Sequence, residues 1–119
     1  MKHNNFLAGK LEDLVHCHDG KGTLQNFEVF SNADFASGLR FMNYTVLPSG
    51  TSIGEHTHGN DEEVYIILQG KGSMYLNGTR HDAISGCVFV NEAFGTHALI
   101  NDGEDDMKIL VFEVALGEM

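Results

Sequence analysis

Glycine punctuates this chain at short intervals, and the apolar runs between the glycines have the length of β-strands. The 119 residues include 14 glycines and a single proline. Most of the runs are rich in Val, Ile, Phe, Tyr or Thr, the residue types that favour strands. Eight strands are predicted, over residues 24–30, 39–47, 52–58, 63–69, 72–76, 87–90, 97–101 and 107–115. This rhythm indicates an all-β domain.

Turn-forming residues lie between these runs, at Asp19-Gly20, Pro48-Ser49-Gly50, Asn77-Gly78 and Asn101-Asp102-Gly103. Asn-Gly and Asp-Gly pairs favour tight hairpins because both residues tolerate a positive φ. The order therefore predicts successive hairpins. Residues 1–15 stay undecided between a short helix and an irregular segment, because apolar residues recur near helical spacing but Gly9 interrupts them.

The length of the chain suits a single domain over residues 1–119, with an N-terminal arm or edge segment over 1–23. The formal net charge of −10 opposes binding to nucleic acid or to an anionic membrane surface. No apolar stretch approaches the length of a membrane span, and the first residues do not resemble a signal peptide. A cytoplasmic location is expected.

The chain has two cysteines, Cys17 and Cys87, which form no CxxC pair and are expected to be free thiols. Cys17 lies within His16-Cys17-His18, a combination of metal-binding residue types. The turn signal that follows these residues explains them equally well as surface side chains. Both interpretations stay open, with the surface interpretation favoured.

His56 and His58 are two residues apart, so in a strand both rings project from one face and converge on one point. Glu63 follows after a short polar connection and opens the next apolar run. If the two strands are antiparallel neighbours, its carboxylate lies beside the histidines. Glu62 is the alternative, and only one of the two acids can face the histidines because successive side chains alternate between faces.

The segment from Gly50 to Gly70 resembles the first motif of the cupin family. After Gly50 come five residues, the pair His56-x-His58, four residues, Glu63, six residues and Gly70. The stretch from Gly86 to Asn101 resembles the second cupin motif, with His97 after ten intervening residues. It departs from that motif at Glu92 and Phe94, where proline and glycine are usual. The two motifs span residues 50–101 and resemble those of small single-domain cupins.

This resemblance implies a jelly-roll β-barrel in which His97 joins His56, His58 and Glu63 around one divalent metal ion. Imidazole nitrogen and carboxylate oxygen suit iron, manganese, nickel or zinc. Four protein ligands leave open positions on an octahedral ion, where a substrate or dioxygen would bind. A closed structural zinc site is the alternative.

Five residues are candidates for a substrate pocket. Arg40 would bind a substrate carboxylate if its side chain pointed inward; a surface salt bridge is the alternative. Tyr65 and Ile67 share the face of Glu63 by alternation and should line the cavity. Phe94 and Leu99 are expected either to fill the barrel or to form the pocket wall. His3, His16, His18 and His81 are expected at the surface.

The cupin family includes dioxygenases, decarboxylases, isomerases and proteins that only bind small molecules, so the fold does not specify a reaction. The leading hypothesis is a metal-dependent enzyme that acts on a small polar or carboxylate-bearing metabolite. The alternative is a non-catalytic module that binds a small molecule. The resemblance also implies a homodimer.

Overall fold

A computed structural model of the chain describes residues 1–117, so the last two residues of the expected domain, 118 and 119, lie outside the described part. Two short 3-10 turns and ten strands follow one another. The turns span Cys17–Asp19 and Asn32–Asp34. The strands are β1 Glu12–Val15, β2 Thr23–Ser31, β3 Leu39–Leu47, β4 Ser52–Thr57, β5 Asp61–Gln69, β6 Lys71–Leu76, β7 Thr79–Ile84, β8 Val88–Asn91, β9 Thr96–Ile100 and β10 Met107–Ala115.

The strands form two antiparallel sheets that face each other. The larger sheet has the order β1-β2-β3-β10-β5-β8, and the smaller has the order β4-β9-β6-β7. The all-β prediction is therefore confirmed. The expected barrel needs one correction, because the strand ladder of residues 1–117 stays divided into two sheets and does not close into a continuous barrel.

The hydrophobic core lies between the sheets and draws side chains from both. Ile53, Met74 and Leu99 come from the smaller sheet, while Ile67 and Ile109 come from the larger one. Burial alternates along β5, where residues 61, 63, 65 and 67 are buried and the residues between them are partly exposed. This period of two is the sequence signal that places one face of each strand toward the core.

The prediction of successive hairpins is wrong for most of the chain. β3 pairs with β10, and β4 pairs with β9, so strands far apart in sequence lie side by side. β4 and β5 lie in different sheets, and the histidine strand and the glutamate strand are therefore not the hydrogen-bonded neighbours considered above. The Asn77-Gly78 turn does form the expected tight hairpin between β6 and β7, with φ values of 49° and 81°.

The eight expected strands are all present within two residues, but β1 and β7 were not predicted. β7 has little apolar alternation to detect, since only Ala83 among its six residues is buried. β1 pairs with β2 and forms one edge of the larger sheet. Upstream of it, Phe6 and Leu11 pack on the outer face of that sheet, against Tyr44 and its neighbours. None of the helices in residues 1–117 is long and apolar enough to cross a membrane.

Candidate metal centre

Four buried or half-buried side chains converge in the space between the two sheets. His56 on β4 lies directly opposite His97 on β9 in the strand register. His58 follows the end of β4, and Glu63 reaches the same point from β5 in the opposite sheet. These four residues each offer a ligand atom, and the four atoms lie within 4.8 Å of one another.

The distances within this cluster suit a shared cation. The Nε2 atoms of His58 and His97 are 2.6 Å apart. Oε1 of Glu63 lies 3.3 Å from each of these two nitrogens. Ligands held at about 2.0–2.2 Å from one ion lie roughly 3 Å from their nearest fellow ligands, so the spacing is that of a coordination shell.

Hydrogen bonds on the far side of two rings leave the inward nitrogens free to bind metal. The Nδ1 of His56 lies 2.8 Å from the carbonyl oxygen of Gly54. The Nδ1 of His58 lies 2.8 Å from Oδ1 of Asp61. When Nδ1–H donates to these acceptors, Nε2 carries the lone pair, which is the tautomer that ligates a metal.

The fit to a metal is also visible in the polar atoms that lack partners. Among the described residues, Oε1 of Glu63 is buried and has no hydrogen-bond partner. A buried carboxylate oxygen without a partner is costly, because it has lost its hydration. A cation bound by the neighbouring imidazoles would compensate that charge. The donor set, three imidazole nitrogens and a carboxylate oxygen, fits a divalent transition metal.

The environment keeps the imidazole of His56 neutral, which is the form that binds a metal. Burial lowers the pKa of His56 to about 4, and the nearby rings of His97 and His18 act in the same direction. The backbone hydrogen bond to Gly54 and the charge of Glu63 oppose this shift without cancelling it.

Glu63, not Glu62, is the acid inside the cluster. Glu63 is buried on the inner face of β5, and Glu62 belongs to the alternate, partly exposed set. Tyr65 lies two residues further on the same inner face, with its ring edge-on to His97 at 5.2 Å between centroids. Burial, followed by the charge of Glu63, raises the pKa of Tyr65 well above 10, so its phenol stays protonated.

A second group of charges surrounds His58 from outside. Asp61 accepts a hydrogen bond from Arg40 at 2.9 Å as well as contacting His58. Glu113 lies 3.7 Å from Arg40 and 3.6 Å from Nδ1 of His58. Burial and the carboxylates of Asp61 and Glu63 raise the pKa of Glu113. This network holds the ring of His58 in place, as outer carboxylates do at many metal sites.

The structure brings one of the five pocket candidates to the cavity beside Glu63, namely Tyr65. Arg40 is 45% exposed and forms the salt bridge that was its alternative. Ile67 and Leu99 lie deeper, in the fully buried core. Phe94 is 69% exposed and has a φ of 62°, because the tight turn between β8 and β9 directs it away from the interior.

The 3-10 turn at Cys17–Asp19 lies against the site, and sequence reasoning missed its contribution. His18 is exposed, as expected, but its ring stacks on His56 with 3.6 Å between centroids. Cys17 and Cys87 are both free thiols, as predicted. Burial and Glu63 raise the pKa of Cys17. The stacking of His18 on His56 depends on a close approach between the turn and β4, which are far apart in the sequence. The local sequence carries no signal for this approach.

Two glycines permit this approach. A Cβ on Gly54 would lie 2.0 Å from the carbonyl oxygen of His18, and one on Gly20 would lie 2.2 Å from that of Ser52. Neither contact can be relieved by a flexible side chain, since backbone atoms form both. The turn and β4 therefore pack backbone to backbone.

A second cavity, of about 190 Å³, lies behind His97. Nδ1 of His97 and both polar side-chain atoms of Asn91 are buried there without hydrogen-bond partners in residues 1–117. Asn91 lies opposite Glu63 in the pairing of β5 with β8. The four-residue cluster is therefore bordered by one cavity at His97 and by another at Glu63.

Fold and site together define a class of small two-sheet β-proteins with a three-histidine, one-glutamate cluster between the sheets. Residues 43–113 match the model of the cupin domain, and the chain belongs to the cupin family. The oxalate-binding protein of Thermotoga maritima is 28% identical over 105 residues, which cover 88% of this chain and 87% of the relative.

Solved structures show the same fold. A predicted oxalate decarboxylase from Thermotoga maritima superimposes with a TM-score of 0.91 at 26% identity, covering 94% of this chain and 97% of that one. The polyketide cyclase of Streptomyces resistomycificus superimposes with a TM-score of 0.80 at 17% identity, covering 98% of this chain and 80% of that one. The second likeness concerns the fold alone.

Proposed function

We propose that this cupin binds one divalent transition metal through His56, His58, Glu63 and His97, and that it acts on a small polar or carboxylate-bearing molecule at that metal. The observation that carries the proposal is the unpaired Oε1 of Glu63, 3.3 Å from two imidazole nitrogens. Iron, manganese, nickel and zinc all suit this donor set.

The bound metal would supply a Lewis acid or redox centre with positions open to a small ligand. The chain's own residues have three tasks around it. Asp61 and the Gly54 carbonyl fix the tautomers of His58 and His56. Tyr65 and the core behind it exclude water from the inner side of the site. The turn at Cys17–Asp19 covers His56 from outside.

Catalysis by a dioxygenase, decarboxylase or isomerase type of reaction is the first candidate. Its support is the mixed histidine and glutamate set, which leaves the metal incompletely coordinated by protein. The description of the similar Thermotoga maritima structure as a predicted oxalate decarboxylase agrees with this class of chemistry.

The test is to load the purified protein in turn with iron, manganese, nickel and zinc, and to assay each form against a panel of carboxylates, thiols and diketones. Oxalate belongs in the panel because both descriptions of similar Thermotoga maritima proteins, oxalate-binding protein and predicted oxalate decarboxylase, name it. Turnover with at least one metal is expected. Failure of every loaded form to convert any member would end the enzymatic proposal.

The second candidate is a non-catalytic module, favoured by the name of the oxalate-binding relative. It predicts tight ligand binding to the metal-loaded protein with the ligand recovered unchanged. Product analysis by mass spectrometry on the same samples separates the two candidates.

A homodimer and a cytoplasmic location form part of the proposal. Val88 and Val90 on edge strand β8 are 57% and 50% exposed, which supports a self-association surface. β1 occupies the opposite edge of the same sheet within its own chain. Sedimentation at micromolar concentration should give the mass of a dimer, and a monomer would contradict it.

A further inference from the structure

The cavity in front of Glu63 has a composition that limits what it can hold. It measures about 260 Å³ and lies between the Cys17–Asp19 turn and the inner face of the larger sheet. Glu63 opens onto it, as do Cys17 and His18. Most of its wall is apolar, from Leu14, Leu24, Phe41, Ile53, Tyr65 and Val111. The volume suits a metabolite of a few carbon atoms, since drug-sized ligands occupy roughly 300–1,000 Å³.

No lysine or arginine within residues 1–117 lines this cavity. Arg40, which the sequence suggested as a partner for a substrate carboxylate, forms ion pairs with Asp61 and Glu113 outside the cavity. An ionised group in the cavity would therefore have no cationic partner beyond the metal itself. It would also lie near the carboxylate of Glu63 and against apolar side chains, where an unpaired charge is strongly disfavoured.

Asn43 is one of several polar residues in the wall of the cavity. It lies on the inner face of β3, and its Oδ1 is buried without a partner among the described residues. In the neighbouring Asn26, Oδ1 already accepts a hydrogen bond from the hydroxyl of Thr45 at 2.7 Å. In either orientation of the Asn43 amide, one of its hydrogen-bonding groups has no partner among the described residues.

From these observations we infer that the ligand of this cupin is a small monoanion, a 2-oxo or 2-hydroxy carboxylate, whose uncharged body occupies this cavity. Its two oxygens would serve the open positions of the metal, and Asn43 would hydrogen-bond to the body. A ligand with a second carboxylate on that body is rejected. The inference rests on the metal site of the proposed function and adds the substrate class.

The test compares two five-carbon ligands that share a chelating group, 2-oxopentanoate and 2-oxoglutarate, which differ in a terminal methyl or carboxylate. Each is titrated calorimetrically into nickel-loaded full-length protein whose metal content has been measured on the same sample. We expect 2-oxopentanoate to bind at least tenfold more tightly. Equal or tighter binding of 2-oxoglutarate, or no binding of either ligand to the nickel-loaded protein, overturns the inference.

Variants of Asn43 test the role of its amide. Loss of one hydrogen bond in Asn43→Leu should weaken 2-oxopentanoate binding by about three- to tenfold. Asn43→Lys should shift the preference toward 2-oxoglutarate by supplying the missing cation. The matched control is Gln25→Leu, which removes an exposed amide from β2. Unchanged binding in folded, nickel-loaded Asn43→Leu contradicts the assignment.

Metal content separates the two ways of failing. A chain that retains none of iron, manganese, nickel and zinc contradicts the proposed function, and with it this inference; a chain that retains one of them but not nickel is titrated with that metal bound. A chain that holds nickel stoichiometrically but does not discriminate between the two ligands leaves the metal site standing and contradicts only the substrate class.

Discussion

Two clusters of ionisable side chains share His58, and they differ in whether their carboxylates have hydrogen-bond or ion-pair partners. In the outer cluster, Asp61 and Glu113 lie beside Arg40, and Asp61 contacts Nδ1 of His58 at 2.8 Å. In the inner cluster, Oε1 of Glu63 is buried without a hydrogen-bond partner among the described residues. The difference indicates which cluster binds a ligand. The outer carboxylates have Arg40 and His58 as partners, whereas the inner carboxylate oxygen of Glu63 has no hydrogen-bond partner among the described residues.

The largest expected effect comes from the inner carboxylate. Glu63→Gln removes the negative charge that compensates the metal, so metal affinity should fall by more than the roughly 10- to 100-fold typical of outer-shell changes. Competition with a chelator measures this affinity. The matched control is Glu62→Gln on the outer face of the same strand, which should bind metal like the wild type. A similar loss in both variants would break the distinction between the faces.

An outer carboxylate should matter less. Asp61→Asn keeps an acceptor for Nδ1 of His58 but loses its charge, so metal affinity should fall by about 10- to 100-fold. The chelator competition applies again, with Asp82→Asn, an exposed partner of Arg80, as the control. If Asp61→Asn lost metal as completely as Glu63→Gln, the metal site would have to be reassigned to the outer cluster.

Gly54→Ala tests the turn that covers His56. The added methyl group would meet the His18 carbonyl, which should cost about 1–3 kcal/mol of the free energy of unfolding. Urea denaturation measures it. Gly59→Ala is the matched control because nothing lies within 4 Å of its Cβ. Equal stability of the two variants would show that the turn does not pack on β4 as described.

The smallest effect is expected at Arg40. The Arg40 side chain is 45% exposed, and exposed ion pairs contribute little to stability. Arg40→Ala should therefore lower the free energy of unfolding by less than about 1 kcal/mol. Arg80→Ala, an arginine of similar exposure away from the site, is the comparison. A loss of several kcal/mol of the free energy of unfolding at Arg40 alone would show that the outer cluster contributes more to stability than its exposure predicts.

The alternation of apolar and polar residues along the chain predicted the strands and the faces of their side chains. It could not predict which distant strands pair with each other. The bounds of β3 and β10 followed from their apolar runs, and the position of Glu63 in the inner set agrees with its period of two. The pairing of β4 with β9 could not be deduced, because hairpin signals describe only neighbouring strands. The stacking of His18 on His56 depends on a close backbone approach in three dimensions.

The family motifs supplied what alternation could not. They grouped His97 with His56, His58 and Glu63 across the sequence, and these four residues do lie together in the structure. They gave no information about Arg40 or Phe94, whose directions are set by an ion pair and by a turn with positive φ. Arg40 lies outside residues 50–101, and Phe94 is a position at which the second motif is not matched, so the orientation of both side chains depends on contacts that the motifs do not describe.

The most direct test is an anomalous diffraction map of crystals grown from protein purified without a metal-chelating tag, recorded at the absorption edge of the metal found by elemental analysis. A peak bounded by the Nε2 atoms of His56, His58 and His97 and by Glu63 is the predicted result. A map with no peak there, or a peak held by His58, Asp61 and Glu113 instead, would contradict the account.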